Sequence, residues 1–329
     1  MTSAIRPVIT KTIERFRSKQ LHNQRVLTVF LPPDYERQPD RHYKVLYVND
    51  GQDLPAVKLA DTLAALMAHH EIEPIIVVAI HATRDRLQEY GTAGIPNVRG
   101  QGKKARKYTF FMLDELIPYI NRRYRTLTGP INTAIMGFSM GGLMAFDVAW
   151  NHPDVFGVIG VFSGSLWWRT NDEDTHARQE SRIVHRRVRD TEDPGCVRMW
   201  FEAGTHDEKE DRDNNGVIDA IQDTTELMDE LELKGYRRGL DMIYVQVERG
   251  EHNQRTWGFI LPYFLRWAFP TPSYLQRHPI DGHGFLSVPM QGRVASHPKA
   301  KQRRNHAQAT RVLRVAGVRS KITRRRQGR

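Results

Sequence analysis

The stretch NTAIMGFSMGGLMAFDVAW, residues 132–150, constrains the fold more than any other part of the chain. NTAIMGF has the apolar run of a buried strand, and LMAFDVAW has the pattern of a helix. A tight turn built on Gly137, Ser139 and Gly141 joins them. Glycines at 137 and 141 remove Cβ atoms where strand and helix approach most closely. The serine between them is then forced into a strained conformation that lifts its Oγ above the C-terminal edge of a sheet. The helix N-terminus behind it favours negative charge developing on a substrate. Glycine and serine are common in turns, so this pattern gains meaning only from its partners.

The rest of the body repeats the same alternation. Strand candidates are RVLTVFLP (25–32), KVLYVND (44–50), IIVVAI (75–80), GVIGVFS (157–163), VRMWFEA (197–203) and DMIYVQVE (241–248). Several are apolar almost throughout, as expected of strands covered on both faces. Helical patterns lie between them, at 104–124 with Pro118 implying a kink, after the GFSMGG turn, and at DTTELMDELELKGY. In the last, Asp223 and Glu226 have capping-box spacing and Gly235 stands where a C′ glycine belongs. The alternation predicts an α/β fold with a mostly parallel central sheet and helices on both faces. The charged segment at 175–195 reads as a solvated surface insertion, with a lid helix as the alternative.

A nucleophilic serine needs a base, and the base needs an acid to orient it and stabilise its charged form. VRMWFEA ends in GTHDE, offering Asp207 and, as its competitor, Glu208. DMIYVQVE ends in RGEHN, offering His252. Both lie just past strand C-termini, where an open α/β sheet keeps its site. Serine, acid, histidine is also the chain order of an α/β-hydrolase. Oxyanion donors are expected from the N–H of Met140, next to the serine, and from Gln52 in the DGQ turn that follows KVLYVND.

Charge separates this body from the C-terminal segment. From Pro270 onward there are 14 Lys and Arg against the single acid Asp281, a surplus of 13 in a chain whose net charge is +11. Residues 1–269 therefore carry −2, and the basicity belongs to 270–329. The expected organisation is an α/β-hydrolase domain over 1–269 and a basic, disordered tail over 270–329. Weak helical character appears at 311–318, and the basic clusters suit nucleic acid or another acidic surface. One cysteine, Cys196, excludes an intrachain disulfide framework. The opening MTSAIRPVITKTIERF has no signal-like apolar core, and no stretch has the length of a membrane span; a cytoplasmic protein is expected.

A further motif follows the acid-bearing turn. In DRDNNGVIDAIQD, Asp211, Asp213 and Asn215 occupy positions 1, 3 and 5 of the calcium-loop template. Gly216 stands at 6, the Val217 carbonyl at 7 and Asp219 at 9. Position 12 is Gln222 rather than glutamate, which weakens the fit. The loop is expected to hold a structural calcium ion or, alternatively, only to cap the next helix.

Taken together, VLYVNDGQ, Arg86 and Glu89-Tyr90 in RDRLQEY, ELIPYINRRYRT, GFSMGG, SGSLWW, FEAGTHDE and GEHNQRTW resemble one esterase family. That family includes esterase D, enterobactin esterases, feruloyl esterases and mycolyltransferases. The landmarks extend from about Leu21 to Phe269. The resemblance implies an α/β-hydrolase fold and hydrolysis of a small-molecule ester without an organic cofactor. It carries the nucleophile to Ser139, the base to His252 and the oxyanion donors to Met140 and Gln52. Most members point to Asp207 as the acid, whereas mycolyltransferases point one residue on, to Glu208. SGSLWW looks like a substrate-pocket loop, so Trp167 and Trp168 are candidate substrate contacts, with core packing as the other reading. The sequence implies a serine carboxylic ester hydrolase; acyl transfer with the same residues, or a hydrolase fold kept only for binding, are the alternatives.

Overall fold

The computed structural model describes residues 5–279 and 284–290. Its strands are β1 (Ile9–Ser18), β2 (Asn23–Leu31), β3 (Lys44–Asn49), β4 (Ile75–Ile80), β5 (Thr133–Phe138), β6 (Val158–Phe162), β7 (Arg198–His206), β8 (Met242–Glu251) and β9 (Phe285–Pro289). They form one sheet in the order β1-β2-β4-β3-β5-β6-β7-β8-β9. The β1–β2 and β2–β4 pairs are antiparallel, and every pair from β4 to β9 is parallel. All residues of β4, β5 and β6 are buried, which is why these strands read as unbroken apolar runs.

Helices cover both faces. They are α1 (Leu59–Ala68), α2 (Arg86–Glu89), α3 (Ala105–Phe110), α4 (Ile117–Arg123), α5 (Met140–Asn151), α6 (Thr175–Glu180), α7 (Ile183–Asp190), α8 (Asp219–Leu233), α9 (Gln254–Ala268) and α10 (Pro272–Arg277). On one face Leu63 and Leu66 of α1 and Ile260 and Phe264 of α9 pack with Leu46, Val77, Met136 and Val245. On the other, Met144 and Val148 of α5, Val184 of α7 and Leu227 of α8 pack with Tyr47, Ile135, Ile159 and Phe201. Between α3 and α4 the turns widen into a π-helical stretch, Phe111–Leu116. Pro118 then stands in the first turn of α4, so its missing N–H falls where the helix is already irregular.

Three expectations change. The segment from Pro270, expected to be tail, supplies α10 and the edge strand β9, which pairs with β8 from Tyr244↔Phe285 to Glu248↔Pro289. The expected helix at 311–318 and the basic clusters after Met290 lie outside the described residues. The 175–195 segment forms α6 and α7, and Ile183, Val184, His185 and Val188 are buried, so it is packed structure rather than a solvated insertion. Asp223 caps nothing: α8 already begins at Asp219, and the Asp223 carboxylate is buried on Arg182 and Arg212. Gly235 does end α8, at φ 95°, with Tyr236 N–H donating to Leu231 O and Gly235 N–H to Glu232 O, a Schellman motif.

Candidate active site

Ser139 stands between β5 and α5 with φ 55° and ψ −123°, a backbone region costly for a residue bearing a Cβ. Neighbouring backbone fixes it there. Its N–H donates to Phe162 O at 2.9 Å, and its carbonyl accepts from Gly142 and Leu143 at 3.0 and 3.1 Å. A Cβ on Gly137 would lie 2.2 Å from Gly141 O, so strand and helix touch backbone to backbone. The half-buried Ser139 presents its Oγ to Ser165 Oγ at 3.3 Å. Ser165 of the SGSLWW loop is a neighbour that the sequence pattern does not reveal.

The acid and the histidine are brought side by side by β7 and β8. Their register shifts by a bulge after Gly204 and resumes with His206 opposite Glu251, so Asp207 and His252 leave the sheet on adjacent strands. The two loops approach closely: a Cβ on Gly204 would meet Gly250 O at 2.4 Å and Asp207 Oδ1 at 2.9 Å. His252 sits between the end of β8 and Asn253, which caps α9 by accepting from Thr256 N–H. The indole of Trp257 meets its ring edge-on at 5.3 Å. Trp257 is fixed in turn by its Nε1–H donating to Ser163 Oγ at 2.9 Å.

Electrostatics separate the two acid candidates. Asp207 is 9% exposed, among the described residues neither of its carboxylate oxygens has a hydrogen-bond partner, and burial pushes its pKa up to about 6. Such a carboxylate lacks a donor, and an imidazole N–H is the donor the adjacent strand can bring. Glu208 points elsewhere. Burial pushes it up to about 7, and the groups acting on it are Asp219, Asp223 and the backbone of Ala220 in α8, with Glu210 of its own loop. Beneath Asp207 lies Glu202, fully buried, whose Oε2 accepts from Ser163 N–H at 3.1 Å. Burial and the nearby Asp207 hold the Glu202 carboxyl well above its ordinary range. The pKa of His252 is lowered, first by desolvation and then by the charge of Arg86. The residue as a whole is nevertheless exposed to solvent. Among the described residues no hydrogen bond joins His252 to Ser139 or Asp207; catalytic hydrogen bonds of this kind tighten around bound substrate.

The two expected oxyanion donors emerge beside the serine. Met140 is the first residue of α5, so its N–H has no intrahelical acceptor. Gln52 lies in the single 3₁₀ turn Gly51–Asp53 after β3, the strand paired with β5. Of the two tryptophans, Trp167 is half-buried with Arg99 and Arg169 over its ring, at 5.4 and 5.7 Å. Trp168 is fully buried, and a Cβ on Gly91 or Gly102 would lie 2.8 or 3.0 Å from its ring. Trp168 is therefore core, and its expected role as a substrate contact is withdrawn.

The acidic loop after β7 takes the turn that the calcium template requires, with Asn214 at φ 55° and Gly216 at φ 86°. Its side chains are committed to the loop itself. Asp211 accepts from Asn215 and Gly216 N–H at 3.0 and 2.9 Å, and Asn215 Oδ1 accepts from Val217 N–H at 2.7 Å. Asp213 accepts from Gln222 Nε2 at 2.9 Å, and Asp219 is paired with Arg212 at 3.1 Å. Among the described residues, the three metal-capable side chains whose ligand atoms lie within 4.8 Å are instead His185, Asp223 and Glu226. Arg182 bonds both of these acids and Arg212 bonds Asp223, so positive charge is already present there.

A serine on a strained strand-to-helix turn, followed along the chain by an acid turn and a histidine turn at the same sheet edge, defines the α/β-hydrolase class. The family described as "Putative esterase" matches residues 18–268, and the chain belongs to it, an esterase family. Among its relatives, the uncharacterized protein YbbA of Bacillus subtilis is 22% identical over 237 residues, covering 71% of this chain and 87% of that protein. An endo-1,4-beta-xylanase/feruloyl esterase of Xylanibacter ruminicola is 26% identical over 171 residues, covering 49% of this chain and 22% of that protein. Solved structures share the fold. The enterobactin esterase of Shigella flexneri superposes with a TM-score of 0.60 at 19% identity, over 79% of this chain and 59% of that one. A ferulic acid esterase of Anaeromyces mucronatus gives 0.58 at 18% identity, over 81% and 92%. Among the described residues no helix is long and apolar enough to cross a membrane.

Proposed function

We propose that this esterase is a serine carboxylic ester hydrolase that works through an acyl-enzyme. The observation that carries the reading is Ser139 at φ 55° on the β5–α5 turn, with Asp207 and His252 on adjacent strands at the same sheet edge. Ser139 Oγ turns from Ser165 toward His252 and attacks the acyl carbon as the imidazole takes its proton. The N–H groups of Met140 and Gln52 receive the negative charge on the carbonyl oxygen. The protonated imidazole, oriented by Asp207, gives its proton to the leaving alcohol. Water, deprotonated by the same imidazole, then releases the acid and restores the serine.

The lowered pKa of His252 suits this role, because only the neutral ring can accept the serine proton. Trp167, half-buried on the loop that carries Ser165, offers an aromatic ring for an aromatic acyl group, in keeping with a feruloyl esterase among the relatives and an enterobactin esterase among the structural neighbours. The test is a panel of chromogenic esters from acetyl through long acyl to feruloyl, assayed with wild type and Ser139→Ala. Turnover of at least one ester that depends on Ser139 is expected. Equal, slow hydrolysis of every ester by both proteins would refute the reading. The loop at 211–219 we propose as a weak structural cation site, with Asp211, Asp213, Asn215 and the Val217 carbonyl as ligands.

A further inference from the structure

Beside the expected oxyanion hole lies an ion pair, buried Asp50 with half-buried Arg86, to which the steps above give no role. Asp50 immediately precedes the Gln52 turn. It adopts φ 59° and ψ 47°, a left-handed conformation, and is 1% exposed. Its carboxylate lies against the first turn of α5, where a Cβ on Gly141 would come within 2.6 Å of Oδ2. A buried negative charge thus adjoins both backbone donors that are to stabilise an oxyanion. Left alone it would repel the charge that the reaction develops there.

Arg86 of α2 meets that carboxylate with two parallel bonds, Nε–H to Oδ1 at 2.7 Å and an Nη2–H to Oδ2 at 2.8 Å. This is the bidentate geometry in which arginine pairs most strongly. Further bonds fix the same loop. Gln52 Nε2–H donates to Asp50 Oδ1 at 3.2 Å, and Gln52 Oε1 accepts from Ala82 N–H at 2.9 Å. Asp50 N–H donates to Tyr90 Oη at 3.2 Å. Asn49, one residue earlier, bridges Tyr108 Oη and Gly141 O, at 2.7 and 2.8 Å, so β3 is tied to the serine's helix.

We propose that Arg86 is a positioning residue of the esterase site: it neutralises Asp50 and holds the Asp50–Gln52 turn so that the Gln52 and Met140 N–H groups face a common point. The inference rests on the serine-esterase reading above. Asp50 supplies the strained turn, and Arg86 keeps its charge from opposing the oxyanion. Arg86 also acts on the base, since its positive charge disfavours protonation of His252. The charged and titratable groups around the pair are Asp50, Asp53 and Tyr90 beside Arg86, with Asp207 beside His252 across the β7–β8 register.

The experiment compares kcat, KM and pH profiles on p-nitrophenyl acetate for wild type, Ser139→Ala, Arg86→Met, Arg86→Lys and the double variant Asp50→Asn/Arg86→Met. Arg86→Met is expected to lower kcat by about 10²–10³-fold, the cost of losing an oxyanion donor, with KM changed less than threefold. Its acid limb in kcat/KM should move to higher pH, because removing a cation makes the imidazole easier to protonate. Arg86→Lys should lose less. The double variant should recover at least tenfold over Arg86→Met, since asparagine tolerates the left-handed conformation and carries no charge. A double variant no more active than Arg86→Met, or an Arg86→Met enzyme with unchanged kcat and acid limb, overturns the proposal. Wild-type turnover equal to that of Ser139→Ala would instead overturn the serine-esterase reading on which it rests.

Discussion

Replacing Gly137 with alanine tests whether the close contact of β5 with α5 is what holds the nucleophile. The added Cβ would stand 2.2 Å from Gly141 O, 2.3 Å from Gly141 C and 2.8 Å from Gly142 N. Every one of these is a backbone atom, so no side chain can rotate away. An ordinary carbon contact of about 3.5 Å requires the first turn of α5 to withdraw by roughly 1 Å. That turn carries the Met140 N–H and receives the Asn49 bond at Gly141 O, so both are displaced together. Overpacking of this kind costs about 1–3 kcal/mol, or about 2–12 °C in Tm for a domain of this size. A 1 Å misplacement at a catalytic centre costs on the order of 10²-fold in rate. Differential scanning fluorimetry and p-nitrophenyl acetate kinetics read the two effects separately. A variant with Tm within 1 °C and kcat within twofold of wild type would refute the contact as the source of the elbow's geometry.

Other perturbations have equally direct outcomes. Asp207→Asn should lower kcat by about 10⁴-fold by favouring the wrong imidazole tautomer, while Glu208→Gln should stay within about fivefold of wild type; the reverse order in initial-rate assays would move the acid to Glu208. Because the pKa of His252 is lowered, the neutral base persists to lower pH, and the acid limb of kcat/KM should fall below the ordinary histidine value of about 6.5; a limb above it would contradict the assignment. The Arg25–Glu89 pair, with both side chains 0% exposed, should cost about 3–5 kcal/mol when broken by Arg25→Met, read by urea denaturation. With Asp219 already on Arg212 and Gln222 at position 12, calcium should raise Tm only near 10⁻³ M; no shift at ten times that concentration would remove the cation site.

The sequence revealed the interior of this sheet and left its edges and charge pairings obscure. β3 to β8 were legible because burial on both faces demands long apolar runs, and IIVVAI at β4 is the plainest example. β1 was missed because Lys11, Glu14 and Arg15 face solvent along an edge strand that buries only its end. β9 was missed for a similar reason: its five residues are short, mostly exposed and set in a basic, proline-containing stretch. Ser139, Asp207 and His252 could be singled out because each follows a recognisable strand. The pairing of Arg86 with Asp50 could not, since it joins residues 36 positions apart; Arg86 stands out in the sequence only as a landmark of the family resemblance. Asp223 shows the same difficulty from the other side. Its spacing to Glu226 suits a capping box, yet tertiary pairing with Arg182 and Arg212 places it inside α8.

The central claim, that Ser139 is the nucleophile of an acyl-enzyme, is tested most directly by covalent labelling. Wild type and Ser139→Ala are incubated with an alkyl fluorophosphonate, digested and mapped by mass spectrometry, with ester turnover followed in parallel. A nucleophilic Ser139 should give one phosphonyl adduct per chain, located on that serine, with turnover lost in step with labelling and no adduct on the variant. An adduct on another residue, or full turnover by wild type after Ser139 is modified, would contradict it.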